Sequence, residues 1–440
     1  MTAPERSGTQ ASASADEQFV LLGMPDMHGS IRGKALRPAA FQSAVENGTV
    51  NTDLWLGLDP VDLPITDYEA FGIRTGAPDL LVQPELDTLR DLAWRRGWRI
   101  CLGTPSWPDG QRCTLACREV LRDALASMAD LGYEVLAAFE YEVRVFDGDA
   151  QPLSNGLSYH LNEIGRFNAL LDSMVPAFDG LGIELEAVHT EAGPGLLEFN
   201  IAARPGLRAA DDAALVKFAV KDVAASLGLQ ASFLAKTMPL QEGSSGHVHL
   251  SLWRDGKNAF APDNPTDEAP PVAAAAIAGM LEHMPGASLL LNPTVNSYKR
   301  LVPGFFAPVN VSWGYENRST SVRAIQSADP ERSRLECRRP GADANPYLAL
   351  AAIVASAGDG IRRESVPPAP LVGDVADRTD LAALPNSLES ALNAFRNDDA
   401  LRNALGEEFS QYYEISRAWE LRAWQNAVSD WERERYVRTV

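Results

Sequence analysis

Residues 139–146 read Phe-Glu-Tyr-Glu-Val-Arg-Val-Phe. Strict alternation puts Glu140, Glu142 and Arg144 on one face of a strand and Tyr141, Val143 and Val145 on the other. Three further segments repeat the pattern. In 197–201, Glu198 and Asn200 oppose Leu197, Phe199 and Ile201. In 247–252, His247, His249 and Ser251 oppose Val248, Leu250 and Leu252. In 334–338, Arg334, Glu336 and Arg338 oppose Leu335 and Cys337. A solvated face would usually mix Lys, Thr and Ser. These four faces carry carboxylates, imidazoles and arginines, and no Lys. An antiparallel sheet curved around a cavity would bring them to one place. Carboxylates crowded in a confined site repel one another, so the pattern asks for cations. Mostly carboxylate ligands with histidine favour Mg²⁺ or Mn²⁺ over Zn²⁺.

Outward from these strands, residues 292–325 gather Lys299, Arg300, Arg318 and Arg323 among turn-forming Pro and Gly, in a chain of formal charge −20. Grouped arginines suit a small molecule bearing carboxylates or phosphates. The acidic balance argues against nucleic acid and against an anionic membrane surface as partners. A length of 440 residues with 45% hydrophobic content implies two or three domains with a real core. Cys101, Cys113, Cys117 and Cys337 show no zinc-like spacing and read as reduced thiols of a cytoplasmic protein. Residues 1–16, rich in Ala, Ser, Thr and Gly, lack a signal-peptide centre and read as a disordered lead. No apolar run is expected to span a bilayer.

Short strands at 19–26, 80–83 and 99–103, with a helix at 39–47, form a small α+β module over 17–108. Residues 109–440 form the larger unit. Helices are expected over 115–131 and over 211–227, with Asp211 or Asp212 as the start signal. Another follows the Asn345 cap to Ala357, and more lie beyond Ser387. Trp419, Trp424 and Trp431 are expected to pack those last helices together.

Taken in order, these segments resemble the motifs of the glutamine synthetase family: FEYE at 139–142, HTEAGPGLLE at 189–198, GSSGHVHLS at 243–251, the 292–308 loop, and LECRRPGADANPY at 335–347. The resemblance implies an α+β fold: a β-grasp-like N-terminal domain, then a catalytic domain with a curved antiparallel sheet surrounded by helices. It implies two to three Mg²⁺ or Mn²⁺ ions per site, with Glu142, Glu191 and Glu198 on one metal and Glu140, His247 and Glu336 on another. Arg300, Arg318 and Arg338 would grip glutamate and the transferring phosphoryl group, with Arg300, Arg318 and Glu142 as the catalytic set. Gly243 would meet glutamate. Ser251, Arg334 and His249 would lie along ATP. Stacked rings, two hexamers making a dodecamer, are also implied.

The chain departs from the ammonia-using members at three places, one of them Glu242, which replaces a polar amide residue ahead of Gly243. Phe306 stands where they carry a glutamate that helps hold ammonium, and no Asp-Gly-Ser-Ser motif occurs, leaving Asp59 and Asp62 as candidate substitutes. An ammonium ion needs charge compensation when buried. A ring instead offers apolar contact, roughly 0.8 kcal/mol per buried CH₂. The expected acceptor is therefore an organic primary amine, such as a polyamine, ethanolamine or another alkyl or aryl amine, in a pocket that Trp55, Trp107 or Phe305 could line. The alternatives are a true glutamine synthetase, with Glu316 or Glu191 serving ammonia, and a non-catalytic nitrogen sensor.

Overall fold

The computed structural model describes residues 17–264 and 268–440; the lead at 1–16 lies outside them. A first sheet contains β1 (Phe19–Pro25), β2 (Ile31–Leu36), β3 (Thr49–Thr52), β4 (Asp79–Pro84), β5 (Arg90–Asp91) and β6 (Trp98–Ser106). Its order is β2-β1-β6-β4-β3, with β5 also on β6. Helix α1 (Pro38–Asn47) packs on it.

The second sheet holds the polar-faced strands. It contains β7 (Glu134–Phe146), β8 (Leu185–Thr190), β9 (Leu196–Ile201), β10 (Arg204–Pro205), β11 (Gln230–Ser232), β12 (Gly246–Arg254), β13 (Lys257–Asn258), β14 (Trp313–Tyr315), β15 (Val322–Ile325) and β16 (Arg334–Cys337). Its order is β14-β15-β16-β12-β7-β9-β8. Every pairing is antiparallel except β14 with β15. The apolar halves of the four segments behave as the alternation requires: Phe139, Tyr141, Val143, Leu197, Phe199, Val248, Leu250, Leu335 and Cys337 are all buried.

The helices are α2 (Cys117–Asp130), α3 (Leu161–Ile164), α4 (Asn168–Leu181), α5 (Gly206–Ser226), α6 (Pro271–Leu291), α7 (Ser297–Arg300), α8 (Pro346–Arg362), α9 (Leu388–Arg396), α10 (Asp399–Leu405), α11 (Glu407–Asn426) and α12 (Asp430–Tyr436). Asn345 caps α8, its side chain accepting from the backbone N–H of Tyr347 at 2.9 Å.

Three expectations need correction. Helix α5 starts at Gly206, five residues before Asp211. Asp211 and Asp212 are buried ion-pair members rather than caps: Arg118 meets Asp211 through two 2.9 Å bonds, and Arg208 holds Asp212. Secondly, α6 is long and apolar enough to cross a membrane, yet 83% of its apolar window is buried inside the fold. It is apolar all round because it is enclosed, with α8 and α9 against it. Thirdly, only Trp419 of the three tryptophans is partly buried, its Nε1 donating to Asp59 at 3.3 Å. Trp424 and Trp431 are 53% and 60% exposed. The four cysteines are free and buried.

Candidate active site

Register turns the alternating faces into cross-strand rows. Glu142 on β7 faces Glu198 on β9, which faces His189 on β8. One step along, His247 on β12 faces Glu140, which faces Asn200. Next, Arg323 on β15 faces Glu336 on β16, which faces His249. All of these except His249, which lies just beyond the lining, floor a pocket of about 720 Å³ that Arg300, Arg318, Arg338, Gly243 and Phe306 also line.

Two ligand-rich clusters sit on this floor, the second reaching past the lining to His249. His189 Nε2 lies 3.2 Å from Glu198 and Nδ1 lies 3.4 Å from Glu191. His249 Nε2 lies 2.9 Å from Glu140, and His247 Nδ1 lies 3.4 Å from both Glu140 and Glu336. Ligand atoms of Glu140, His249 and Glu336 fall within 4.8 Å of one another, as do those of His189, Glu191 and Glu198. Thus His189 stands beside Glu191 and Glu198, while Glu142 is engaged by the Ser245 backbone N–H at 2.8 Å and by its hydroxyl. Beside Glu140 and Glu336 both histidines stand together.

The electrostatics divide the pocket. Burial and the charge of Glu198 push Glu142 up to about 6. Burial with the charges of Glu142 and Glu198 raises Glu191. Burial opposes the charge on Glu140, but His249 and His247 outweigh it and hold its carboxyl far below the usual range. Crowded carboxylates with raised pKa values, a mixed Glu and His donor set, and a buried His247 Nε2 without a hydrogen-bond partner fit divalent cations.

Three arginines complete the lining. Arg300, at the end of α7, is 3% exposed and donates to the Arg339 carbonyl at 2.6 Å. Burial lowers its pKa to about 10, which leaves it charged. Arg338 is buried, donates to the Arg318 carbonyl at 2.9 Å and pairs with Glu336. The loop is anchored along its length. Arg417 holds the Pro293 carbonyl, the Asn296 amide brackets the Lys236 backbone, and Arg339 holds the Pro308 carbonyl. Between the anchors Phe306 projects at the pocket edge, 71% exposed at φ +50°.

Several expected residues lie elsewhere. Arg334 donates to His249 Nδ1 at 3.1 Å, and Ser251 accepts from Trp253 Nε1 at 3.0 Å; these two and His249 sit beyond the pocket lining. Phe305 lines the pocket, but Trp55 is buried in the first module and Trp107 lines a separate groove. Glu316 is tied to Arg323 and stays outside, whereas Glu191 is in the pocket. Asp59 accepts from Val61 and Leu63 N–H groups, and Asp62 pairs with Arg32.

Sequence reasoning passed over Tyr159, whose ring stacks on His189 with centroids 4.3 Å apart. It sits in a loop at φ +54°, where no periodicity marks it. His189 was findable, since it alternates with Glu191 in the same motif.

The glutamine synthetase catalytic-domain profile matches residues 114–436. The chain belongs to the glutamine synthetase family. It is an enzyme of that family's kind, an ATP-dependent ligase that joins glutamate to an amine or ammonia. Among its relatives is a glutamate–isopropylamine ligase from a Pseudomonas species, 34% identical over 438 residues, covering 96% of this chain and 95% of the relative. A gamma-glutamylethanolamide synthetase of Streptomyces coelicolor is 33% identical over 96% of this chain and 92% of its own. A glutamine synthetase of Thermus thermophilus is 32% identical over 96% of both. The solved structure of apo GmaS superposes with a TM-score of 0.85 at 27% identity, covering 96% of this chain and 97% of that one.

Proposed function

We propose that this ligase uses an organic primary amine as its acceptor. ATP phosphorylates the γ-carboxylate of glutamate. The amine nitrogen then displaces phosphate from the acyl phosphate, giving a γ-glutamylamide, ADP and phosphate. Phe306 carries this reading: an exposed ring at the pocket edge offers apolar area to an alkyl or aryl substituent and no charge to ammonium. The relatives named for isopropylamine and for an ethanolamide support it.

In this reading Arg300 and Arg338 hold the glutamate carboxylate, and Arg318, exposed at the rim, meets the phosphoryl group. Gly243 gives backbone contact to glutamate, while His249, Arg334 and Ser251 lie along ATP. Two to three Mg²⁺ or Mn²⁺ ions would be held by Glu142, His189, Glu191 and Glu198 and by Glu140, His247, His249 and Glu336. Such ions would neutralise phosphate charge during transfer. The protein's own part is to fix three reactants in one pocket, which replaces an improbable encounter in solution.

Assembly into a dodecamer of stacked hexamers belongs to the same reading. The exposed Trp424, Val428, Trp431 and Val437 at the C-terminus, and Val61 and Leu63 in the first module, are apolar surface that a subunit contact would cover. Four buried free thiols support a cytoplasmic setting.

A second reading, ammonia as acceptor, is favoured by Glu191, a carboxylate in the pocket with a raised pKa. One assay separates the two. Phosphate release is measured with ATP, Mg²⁺ and glutamate across ammonium, methylamine, isopropylamine, ethanolamine, putrescine, spermine and aniline. Ammonium as the best acceptor at low concentration would overturn the amine reading.

A further inference from the structure

Outside the pocket lining, the buried Lys217 and the half-buried Asp343 carry charges to which the proposed reaction assigns no substrate or metal. Lys217, on α5, is 7% exposed. Its ammonium donates to the carbonyls of Ala342 at 2.8 Å and Ala344 at 3.0 Å, the two neighbours of Asp343. The rings of Tyr141 and Phe233 lie beneath it, each 5.6 Å away. With both flanking carbonyls gripped, the backbone at 343 is pinned. The Asp343 carboxylate then accepts from Ser297 Oγ at 2.6 Å and Thr294 Oγ1 at 3.0 Å. Those hydroxyls in turn accept from each other's backbone: Thr294 N–H donates to Ser297 Oγ at 3.0 Å and Ser297 N–H donates to Thr294 Oγ1 at 3.1 Å. Ser297 opens α7, and Arg300 closes it one turn later.

Such an arrangement opposes stability on its own. Burial pushes the Asp343 carboxyl up and pulls the Lys217 ammonium down to about 7. Desolvated charges of this kind are often matched or bettered by apolar packing. Their geometry gives the reason for keeping them, because each hydrogen bond in the chain fixes the position of the next element.

We propose that Lys217 and Asp343 are positioning residues of the ligase reaction: together they brace the Thr294–Ser297 turn so that α7 delivers the Arg300 guanidinium to the pocket. The proposal rests on the reading of Arg300 as a glutamate ligand.

The full-length enzyme is assayed with Mg²⁺, and hydrogen exchange is followed in peptides covering 292–302. Asp343→Ala should raise KM for glutamate roughly ten-fold while KM for ATP stays within about two-fold. Exchange across 294–300 should rise, with α8 unchanged. Asp343→Asn, which keeps an acceptor oxygen and is the safer fold, should recover most of the glutamate affinity. Lys217→Met should act in the same direction, and the double variant Lys217→Met/Asp343→Ala should be no worse than the poorer single one, since both break one chain. Unchanged exchange and unchanged glutamate KM in Asp343→Ala would overturn the brace. Equal loss of ATP and glutamate affinity would do the same, because it marks general loosening. Arg300→Ala is the control. If it leaves glutamate KM unaltered, the glutamate reading falls by itself, and the exchange result alone upholds or removes the brace.

Discussion

Gly243 and Arg300 pack so closely that a Cβ on Gly243 would stand 2.3 Å from Cγ of the arginine. The same added atom would lie 2.4 Å from the Ala235 carbonyl oxygen, so neither side can give way easily. Gly243→Ala should therefore displace the arginine stem. Overpacking of this kind costs about 1–3 kcal/mol. We expect kcat/KM for glutamate to fall by roughly ten- to a hundred-fold. Nucleotide affinity, read by ADP titration, should hold.

Phe306→Glu returns a carboxylate to the pocket edge. The ratio of kcat/KM for ammonium to that for the best organic amine should rise at least about ten-fold, the effect of some 1.4 kcal/mol. An unchanged acceptor ranking would show that the ring only fills space.

Divalent cations should stabilise the protein, since the carboxylate cluster proposed to hold them exists in the folded chain and not in the unfolded one. Saturation at about a hundred times Kd corresponds to about 2.7 kcal/mol. Scanning calorimetry with Mg²⁺ or Mn²⁺, then with chelator, reads it. Glu198→Gln and Glu336→Gln should each shrink the gain; an equal gain in both would place the ions elsewhere.

Outside the pocket lining, His283 of α6 sits between Asp398 and Asp359, 3.0 Å from each. Arg363 pairs with Asp359 and with Glu282, and Arg362 lies at the edge of the cluster. Burial works against the imidazolium, but the two aspartates outweigh it and raise its pKa above 6.5. A raised folded pKa stabilises fully below the unfolded value, and that contribution disappears as pH climbs through the folded one. The stability gap between wild type and His283→Gln, from urea unfolding, should be widest near pH 6 and narrow toward pH 9. A gap that widens with pH would refute the charged assignment.

Legibility followed periodicity. The β7, β9, β12 and β16 faces were readable because alternation at period two sorts each strand into a buried half and a charged half, and the family motifs gave their order. Helix α6 was missed because a fully enclosed helix has no polar stripe to betray it. The α5 start was misplaced because Asp211 and Asp212, good capping types, instead answer Arg118 and Arg208 from distant segments. Tyr159 escaped because its role depends on stacking across a loop. Which histidine faces which glutamate needed register, and register is a property of paired strands.

The spacing of the anchors along the 292–308 loop has a consequence for how acceptor choice can change. Hydrogen bonds to residues outside the loop fall at Pro293, Thr294, Asn296, Ser297, Tyr298, Arg300 and Pro308. From Val302 to Phe306 the chain has turn bonds of its own and the Lys236 ammonium over the Phe305 ring. The end proposed to grip glutamate and the end proposed to face the acceptor are thus mechanically separate, like a fixed jaw with a replaceable tip. Those five residues form an exchangeable cassette: grafting the equivalent stretch from a ligase of another amine should move acceptor preference and leave glutamate KM where it was.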